Sequence, residues 1–140
     1  MTDLDRFVHA QESTYSRALA ELQAGRKQSH WMWFIFPQLR GLGTSEMAHA
    51  YGIADASEAR AYLAHPILGP RLEACAEALL AHAPRSARDI LGPPDDLKLR
   101  SCATLFAAVA PERTVFQRLL DAFFDGRPDE RTLEMLREGA

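Results

Sequence analysis

The chain has 140 residues, of which 47% are hydrophobic and 25% charged, and its formal net charge is -3. These values predict one domain over residues 1–140 with a buried core, and the acidic balance argues against general nucleic-acid binding. No apolar run approaches the roughly 20 residues that cross a bilayer. Asp3 and Asp5 stand where a signal peptide would be basic. With two cysteines, too few for a disulfide framework, these features predict a cytoplasmic protein.

Apolar residues at helical spacing, separated by proline, glycine and capping residues, predict about seven helices. The first covers residues 3–24, with Thr2 or Asp3 as its cap and Gly25 as its stop. The others are predicted at 57–65 after a Ser57 cap, from Pro70 to about His82, from Ser86 to Leu91, from Asp95 to about Val109, from Pro111 to Gly126, and from Asp129 onward. Because no stretch alternates with a period of two between hairpin turns, the fold class is all-α.

Residues 31–36 are harder to interpret, because six apolar residues before Pro37 fit either a buried strand or a short buried helix. Aromatic residues favour a strand. No partner strand is apparent, however, and Ser29 is a plausible N-cap. We therefore expect a short helix that ends just before Pro37.

The segment between Glu21 and Glu46 has an unusual composition. It contains no acidic residue, and four of the chain's twelve aromatic residues fall within residues 31–36. Positive charge, flat rings and a glycine-containing loop suit an anionic, partly aromatic ligand. The residues that carry this interpretation are Arg26, Lys27, His30, Trp31, Trp33, Gln38, Gly41 and Gly43.

A purely structural interpretation of the same residues stays open. Phe34 and Phe36 are expected in the core, whereas Trp31 and Trp33 each need a partner for the indole N–H. His30 could cap or pack instead of acting chemically. The two glycines could simply form the turn into a helix capped by Thr44 or Ser45.

A second cluster lies at the predicted start of the helix at residue 95. Asp95, Lys98 and Cys102 fall on one side of that helix. Asp95 or Asp96 could act only as a helix cap, whereas Lys98 could bind a phosphate or a carboxylate, or act as a base. Lys27 and Lys98 are the chain's two lysines among 16 basic residues, and each lies in one of the two segments.

Common catalytic and metal-binding patterns are not found in the sequence. The five histidines show no paired-ligand spacing and neither cysteine belongs to a CxxC motif, so we expect no metal site and no cofactor. Cys102 lies among Leu99, Leu105 and Phe106 and is expected to be a buried, inert thiol.

The sequence resembles a bacterial family, domain of unknown function 1810. The resemblance is carried by GRKQSHWMWFIFPQL at residues 25–39, by the glycines that follow, and by PDDLKLRS at residues 94–101. It covers nearly the whole chain and implies an all-helical single domain without an established activity. Some members are labelled calpastatin, a protease inhibitor that acts through disordered repeats, and this chain is predicted to be compact instead.

Two functions follow as expectations. In the first, a small anionic molecule such as a nucleotide or a phosphorylated metabolite binds to the segment, and His30, Lys98 and Asp95 form a catalytic, proton-transferring group. In the second, Trp31 and Trp33 form an exposed patch of a noncatalytic interaction module. A monomer and a homodimer are both compatible with the sequence.

Overall fold

Ten α-helices account for the regular secondary structure between residues 3 and 139, the range that this computed structural model describes. The all-α class is confirmed: within that range β pairing is limited to one isolated parallel bridge between Leu39 and Ile53. The helices are α1 (Asp5–Glu12), α2 (Tyr15–Ala24), α3 (Met32–Ile35), α4 (Glu46–Ala50), α5 (Ala56–Ala64), α6 (Leu68–Leu80), α7 (Ala87–Leu91), α8 (Asp95–Val109), α9 (Val115–Phe124) and α10 (Glu130–Arg137).

The predicted number of about seven helices is wrong, partly because the helix expected over residues 3–24 is broken in two. The break falls at Ser13 and Thr14, where the Thr14 hydroxyl donates a hydrogen bond to the Ala10 carbonyl at 2.6 Å. Such side chains compete with the helical ladder for backbone groups. α1 also starts without the predicted side-chain cap from Asp3, and Thr2 lies outside the described residues. The short helices α3 and α4 complete the ten, and α3 confirms the predicted short helix that ends just before Pro37.

Several helix boundaries agree with the sequence because a local side chain determines them. The Ser86 hydroxyl accepts a hydrogen bond from the Asp89 N–H, and Ser45 and Asp129 accept from N–H groups in the first turns of α4 and α10. α2 ends at Gly25, which adopts φ = 75°, a left-handed conformation that glycine adopts without strain.

Other predicted boundaries are wrong, because a different residue provides the hydrogen bond or the turn. Asp55, and not Ser57, caps α5 through the Glu58 N–H. Ser29 does not cap α3, since its hydroxyl donates to Glu21 instead. Pro111 precedes the first turn of α9 and lies in the turn that leads to it.

Helix α8 forms the centre of the molecule and packs against α5, α7, α9 and α10. Every residue from Ser101 to Phe106 is buried, because neighbouring helices surround this part of α8 on all sides. Burial of each large apolar side chain here contributes about 1.5–3 kcal/mol. The centre of α8 is therefore fixed in the core, whereas its N-terminal turn reaches the segment that contains Trp31 and Trp33.

Backbone hydrogen bonds position the loop that follows α3. The Ile53 N–H donates to the Gln38 carbonyl at 2.9 Å, and the Arg40 N–H donates to the Ile53 carbonyl at 2.8 Å. These two bonds form the isolated bridge, which fixes the position of Gln38 relative to α4 and α5. None of the helices in the described part of the chain combines the length and the apolar composition that spanning a bilayer requires.

Candidate functional site

Glu21 on α2 holds the chain from Gln28 to Trp31. One carboxylate oxygen accepts hydrogen bonds from the N–H groups of Gln28, Ser29 and the Trp31 indole at 2.8–3.0 Å, and the other accepts from the Ser29 hydroxyl at 2.6 Å. Burial alone would raise the pKa of Glu21, but the hydrogen bonds outweigh it and lower the pKa to about 2. Glu21 therefore stays ionised at neutral pH and fixes the entry into α3.

Lys27 is fixed at both its backbone and its side chain. Its N–H donates to the Ile90 carbonyl at 2.8 Å. Its ammonium lies 3.0 Å from an Asp95 carboxylate oxygen and 5.1 Å from the centroid of the Trp31 ring. The Lys27 side chain is only 9% exposed. The predicted segment and the predicted helix start are thus joined by an ion pair.

Lys98 lies one helical turn after Asp95 on α8 and has a similar pair of contacts. Its ammonium lies 3.6 Å from the other oxygen of Asp95 and 4.8 Å from the centroid of the Trp33 ring. Asp95 makes no side-chain capping bond at the start of α8, so capping does not explain its position. Two ammonium groups therefore share one carboxylate, and each also lies on an indole face, a cation–π contact.

Lys98 lines a cleft of about 340 Å³ at the N-terminal ends of α8 and α10. This volume is near the lower end of the range of small-molecule sites, and the cleft is wide open to solvent. The cleft is lined by Gln38, Leu42, Gly43, Pro94, Leu97, Lys98, Ser101, Asp129 and Arg131. A smaller space of about 10 Å³, with room for about one water molecule, adjoins Lys98 and Gln38 on the side of Trp33.

The charged groups of the cleft are two cations and one carboxylate. Arg131 pairs with Glu134 at 3.5 Å on the exposed face of α10, a contact that contributes little. The Asp129 carboxylate caps α10 by accepting from the N–H and the hydroxyl of Thr132. The N-terminal ends of α8 and α10 add their positive dipole ends. The lining therefore has two cationic side chains and one carboxylate, and each cation also pairs with a carboxylate outside the lining, Asp95 for Lys98 and Glu134 for Arg131.

The cleft wall leaves little room for a side chain at Gly43. A Cβ atom there would lie 2.7 Å from the Ala48 Cβ and 3.5 Å from the Gln38 amide nitrogen. A side chain at this position would therefore displace Ala48 of α4, whereas its contact with Gln38 would be of ordinary van der Waals length. Gly41 adopts φ = 106°, which glycine tolerates best, and it is exposed outside the cleft lining.

Besides Gly41, three of the predicted residues are placed away from the cleft. His30 is exposed and, within residues 3–139, has no ion-pair or hydrogen-bond partner for its side chain. Arg26 borders a separate cavity on α2. Trp31 is 1% exposed, which leaves its ring no open face on which a ligand could stack. The structure thus brings together Lys27, Asp95, Lys98 and Trp33, with Gln38 and Gly43 in the cleft wall.

Several residues at the site were not predicted from the sequence. Glu21 is the acidic residue that directly precedes the acid-free segment, which is the one local signal that could have identified it. Leu97, Ser101 and Arg131 line the cleft because α8 and α10 pack together. No spacing in the sequence links residue 131 to residue 98.

Cysteine and metal chemistry receive no support from the geometry. Cys75 and Cys102 are buried, and burial raises the pKa of the Cys75 thiol to about 12 and that of Cys102 well above its usual range. Among the described residues, no group of three or more histidine, cysteine or acidic side chains is placed to hold a metal ion.

Comparisons with known proteins identify a family and a solved structure with the same fold, and neither description names a ligand. A family model described as "Protein of unknown function (DUF1810)" matches residues 1–136. The structure is similar to the crystal structure of the conserved hypothetical protein Rv1873 from Mycobacterium tuberculosis, with 50% identity, coverage of 96% of each chain and a TM-score of 0.95. No curated protein matches the chain.

Proposed function

We propose that this chain, which belongs to the DUF1810 family as its sequence resemblance predicted, binds a small anionic molecule through Lys98. The proposal is based on the cleft, because the family description assigns no activity. The observation that carries this proposal is the unequal sharing of Asp95. Its carboxylate lies 3.0 Å from the Lys27 ammonium and 3.6 Å from the Lys98 ammonium. Lys98 therefore has the weaker ion pair and also faces the cleft.

Charge counting supports an anionic ligand. Two ammonium groups and one carboxylate leave the cluster with one ammonium group in excess of the carboxylate that they share. Lys98 has three N–H donors, and its side chain is 24% exposed. An anion in the cleft would satisfy both the charge and the donors.

Neutral groups in the lining would orient that anion. The Gln38 amide and the Ser101 hydroxyl are hydrogen-bonding groups in the cleft lining, and the Ser101 hydroxyl, which donates to the Leu97 carbonyl at 3.3 Å, can still accept. Arg131 offers a second cation whose present partner is an exposed residue on the same helix. In this arrangement Lys27 and Asp95 act as positioning residues for Lys98, and Glu21 positions Trp31 beneath Lys27.

Binding is supported more directly than catalysis. Lys98 and Asp95 are adjacent, as a proton-transferring pair requires, but His30 lies outside the cleft lining. The interaction module has less support, because it needs both indoles on an exposed patch and Trp31 is buried. We therefore place binding of a small anion, such as a phosphorylated metabolite, ahead of both alternatives.

Calorimetric titration with inorganic phosphate at low ionic strength tests the proposal. Three proteins are compared: the wild type, Lys98→Met, and Arg88→Gln as a control that removes an exposed positive charge on α7. We expect saturable binding to the wild type, weakened about tenfold or more in Lys98→Met by the loss of a charge-assisted contact, and little changed in Arg88→Gln. No saturable binding, or equal losses in both variants, would contradict the proposal.

A further inference from the structure

Leu97 is the most exposed of the large apolar side chains in the described residues, at 58%. A single exposed leucine is ordinary on a protein surface. This one directly precedes Lys98 and lines the same cleft, where Pro94 and Leu42 provide further apolar surface. Apolar and cationic groups are thus combined within one concavity of about 340 Å³.

The volume exceeds what an inorganic anion needs. A site that evolved for phosphate alone would surround it with donors, whereas this lining combines three apolar side chains with Lys98, Arg131, Gln38, Ser101 and Asp129, whose carboxylate accepts from Thr132. Small-molecule sites commonly have this composition, an apolar surface with a few polar groups that fix orientation. The apolar part of the cleft therefore points to an apolar part of the ligand.

On the basis of the anion site proposed above, we propose that the ligand is an organic phosphate that carries a compact apolar group. Its phosphate contacts Lys98 and Arg131, and its apolar group lies against Leu97, Pro94 and Leu42. A phosphate monoester offers three acceptor oxygens and nearly two negative charges. It can therefore engage both cations and a neutral donor at once, which a carboxylate with two oxygens does less completely.

Titration with inorganic phosphate and with phenyl phosphate separates the two parts of this ligand. We expect the wild type to bind phenyl phosphate about tenfold more tightly than inorganic phosphate, because burial of roughly 60 Å² of apolar surface has that effect. Leu97→Gln keeps helix propensity and should reduce the ratio of the two affinities to about threefold. Ile67→Gln, at an exposed apolar position just before α6, is the matched control and should keep the full preference.

The outcomes distinguish this inference from the one on which it rests. Equal affinity of the wild type for the two anions would overturn the organic phosphate while leaving the anion site intact. A preference lost equally in Leu97→Gln and Ile67→Gln would also overturn it, since the effect would not be local to the cleft. Failure of both anions to bind would remove the anion site itself. Because Leu97 and Ile67 are exposed, both variants should fold, which their unfolding temperatures would verify.

Discussion

The molecule contains two lysine–tryptophan cation–π contacts, Lys27 over Trp31 and Lys98 over Trp33. The first is more deeply buried than the second. Each ammonium group also pairs with Asp95, at 3.0 Å for Lys27 and 3.6 Å for Lys98. The Lys27 side chain is 9% exposed and the Lys98 side chain 24%. Identical residue types thus form a closed structural unit on one side of Asp95 and an open, incompletely paired unit on the other.

The difference originates in Glu21. The Trp31 indole N–H donates to Glu21 at 2.9 Å, whereas within residues 3–139 the Trp33 indole N–H has no acceptor. A satisfied indole can be buried at little cost, so Trp31 and Lys27 lie deep. The comparison supports separate roles for the two lysines under the proposed function: Lys27 as part of the fold, and Lys98 as the lysine that faces the open cleft.

The largest expected effect distinguishes the two tryptophans. Trp31→Ala should reduce the free energy of unfolding by about 3–5 kcal/mol, because the ring is fully buried. Trp33→Ala should cost roughly half as much, because Trp33 is half-buried. Urea denaturation measures both changes, and Trp31→Phe and Trp33→Phe serve as milder controls. Equal losses would contradict the difference in burial.

A smaller loss is expected when the anchor of Trp31 is changed. Glu21→Gln removes a charged acceptor of four hydrogen bonds and should lower the free energy of unfolding at pH 7 by about 1.5–3 kcal/mol. Denaturation midpoints of the two proteins give the difference. A variant as stable as the wild type would show that the 28–31 turn does not depend on Glu21.

The pH dependence of that difference follows from the low pKa of Glu21. Its folded-state pKa is about 2 against an ordinary value of 4.5, so its contribution is complete above about pH 4.5 and is lost as the pH falls toward 2. The stability gap between the wild type and Glu21→Gln should therefore narrow between pH 5 and pH 3. A gap that is constant over this range would mean that the carboxylate is not preferentially ionised in the folded state.

The smallest of the stability effects compares the lysines directly. Lys27→Met should destabilise the protein by about 1–2 kcal/mol, since it removes the closer and more buried partner of Asp95. Lys98→Met should cost less than about 1 kcal/mol, as expected for a longer, more exposed pair. Thermal unfolding of both variants checks the order. The reverse order would assign the structural role to Lys98.

Sequence reasoning succeeded where neighbouring residues determine the structure. Helix α8 begins at Asp95 and ends at Val109 as predicted, and the Ser86 and Asp129 caps were predicted correctly. Sequence reasoning failed where a contact with a residue elsewhere in the chain determines the local structure. Ser29 was expected to cap α3, but Glu21, eight residues earlier, binds its hydroxyl.

The same distinction applies to the site. Lys27, Trp33 and Lys98 were selected from composition, and the structure places them around Asp95. The orientation of His30 depends on how Glu21 holds the turn, and the contribution of Arg131 depends on the packing of α10 against α8. Neither relation leaves a periodic or spacing signal in the sequence, so neither could be predicted.

Nuclear magnetic resonance of lysine-labelled protein tests the central claim most directly, because the chain contains only two lysines. Labelling with ¹³C at the ε-carbon gives one signal each from Lys27 and Lys98, and the Lys27→Arg variant identifies them. On addition of inorganic phosphate, the Lys98 signal should shift saturably while the Lys27 signal moves little. A larger shift at Lys27, equal shifts at both lysines, or no shift at either would contradict the assignment of the open site to Lys98.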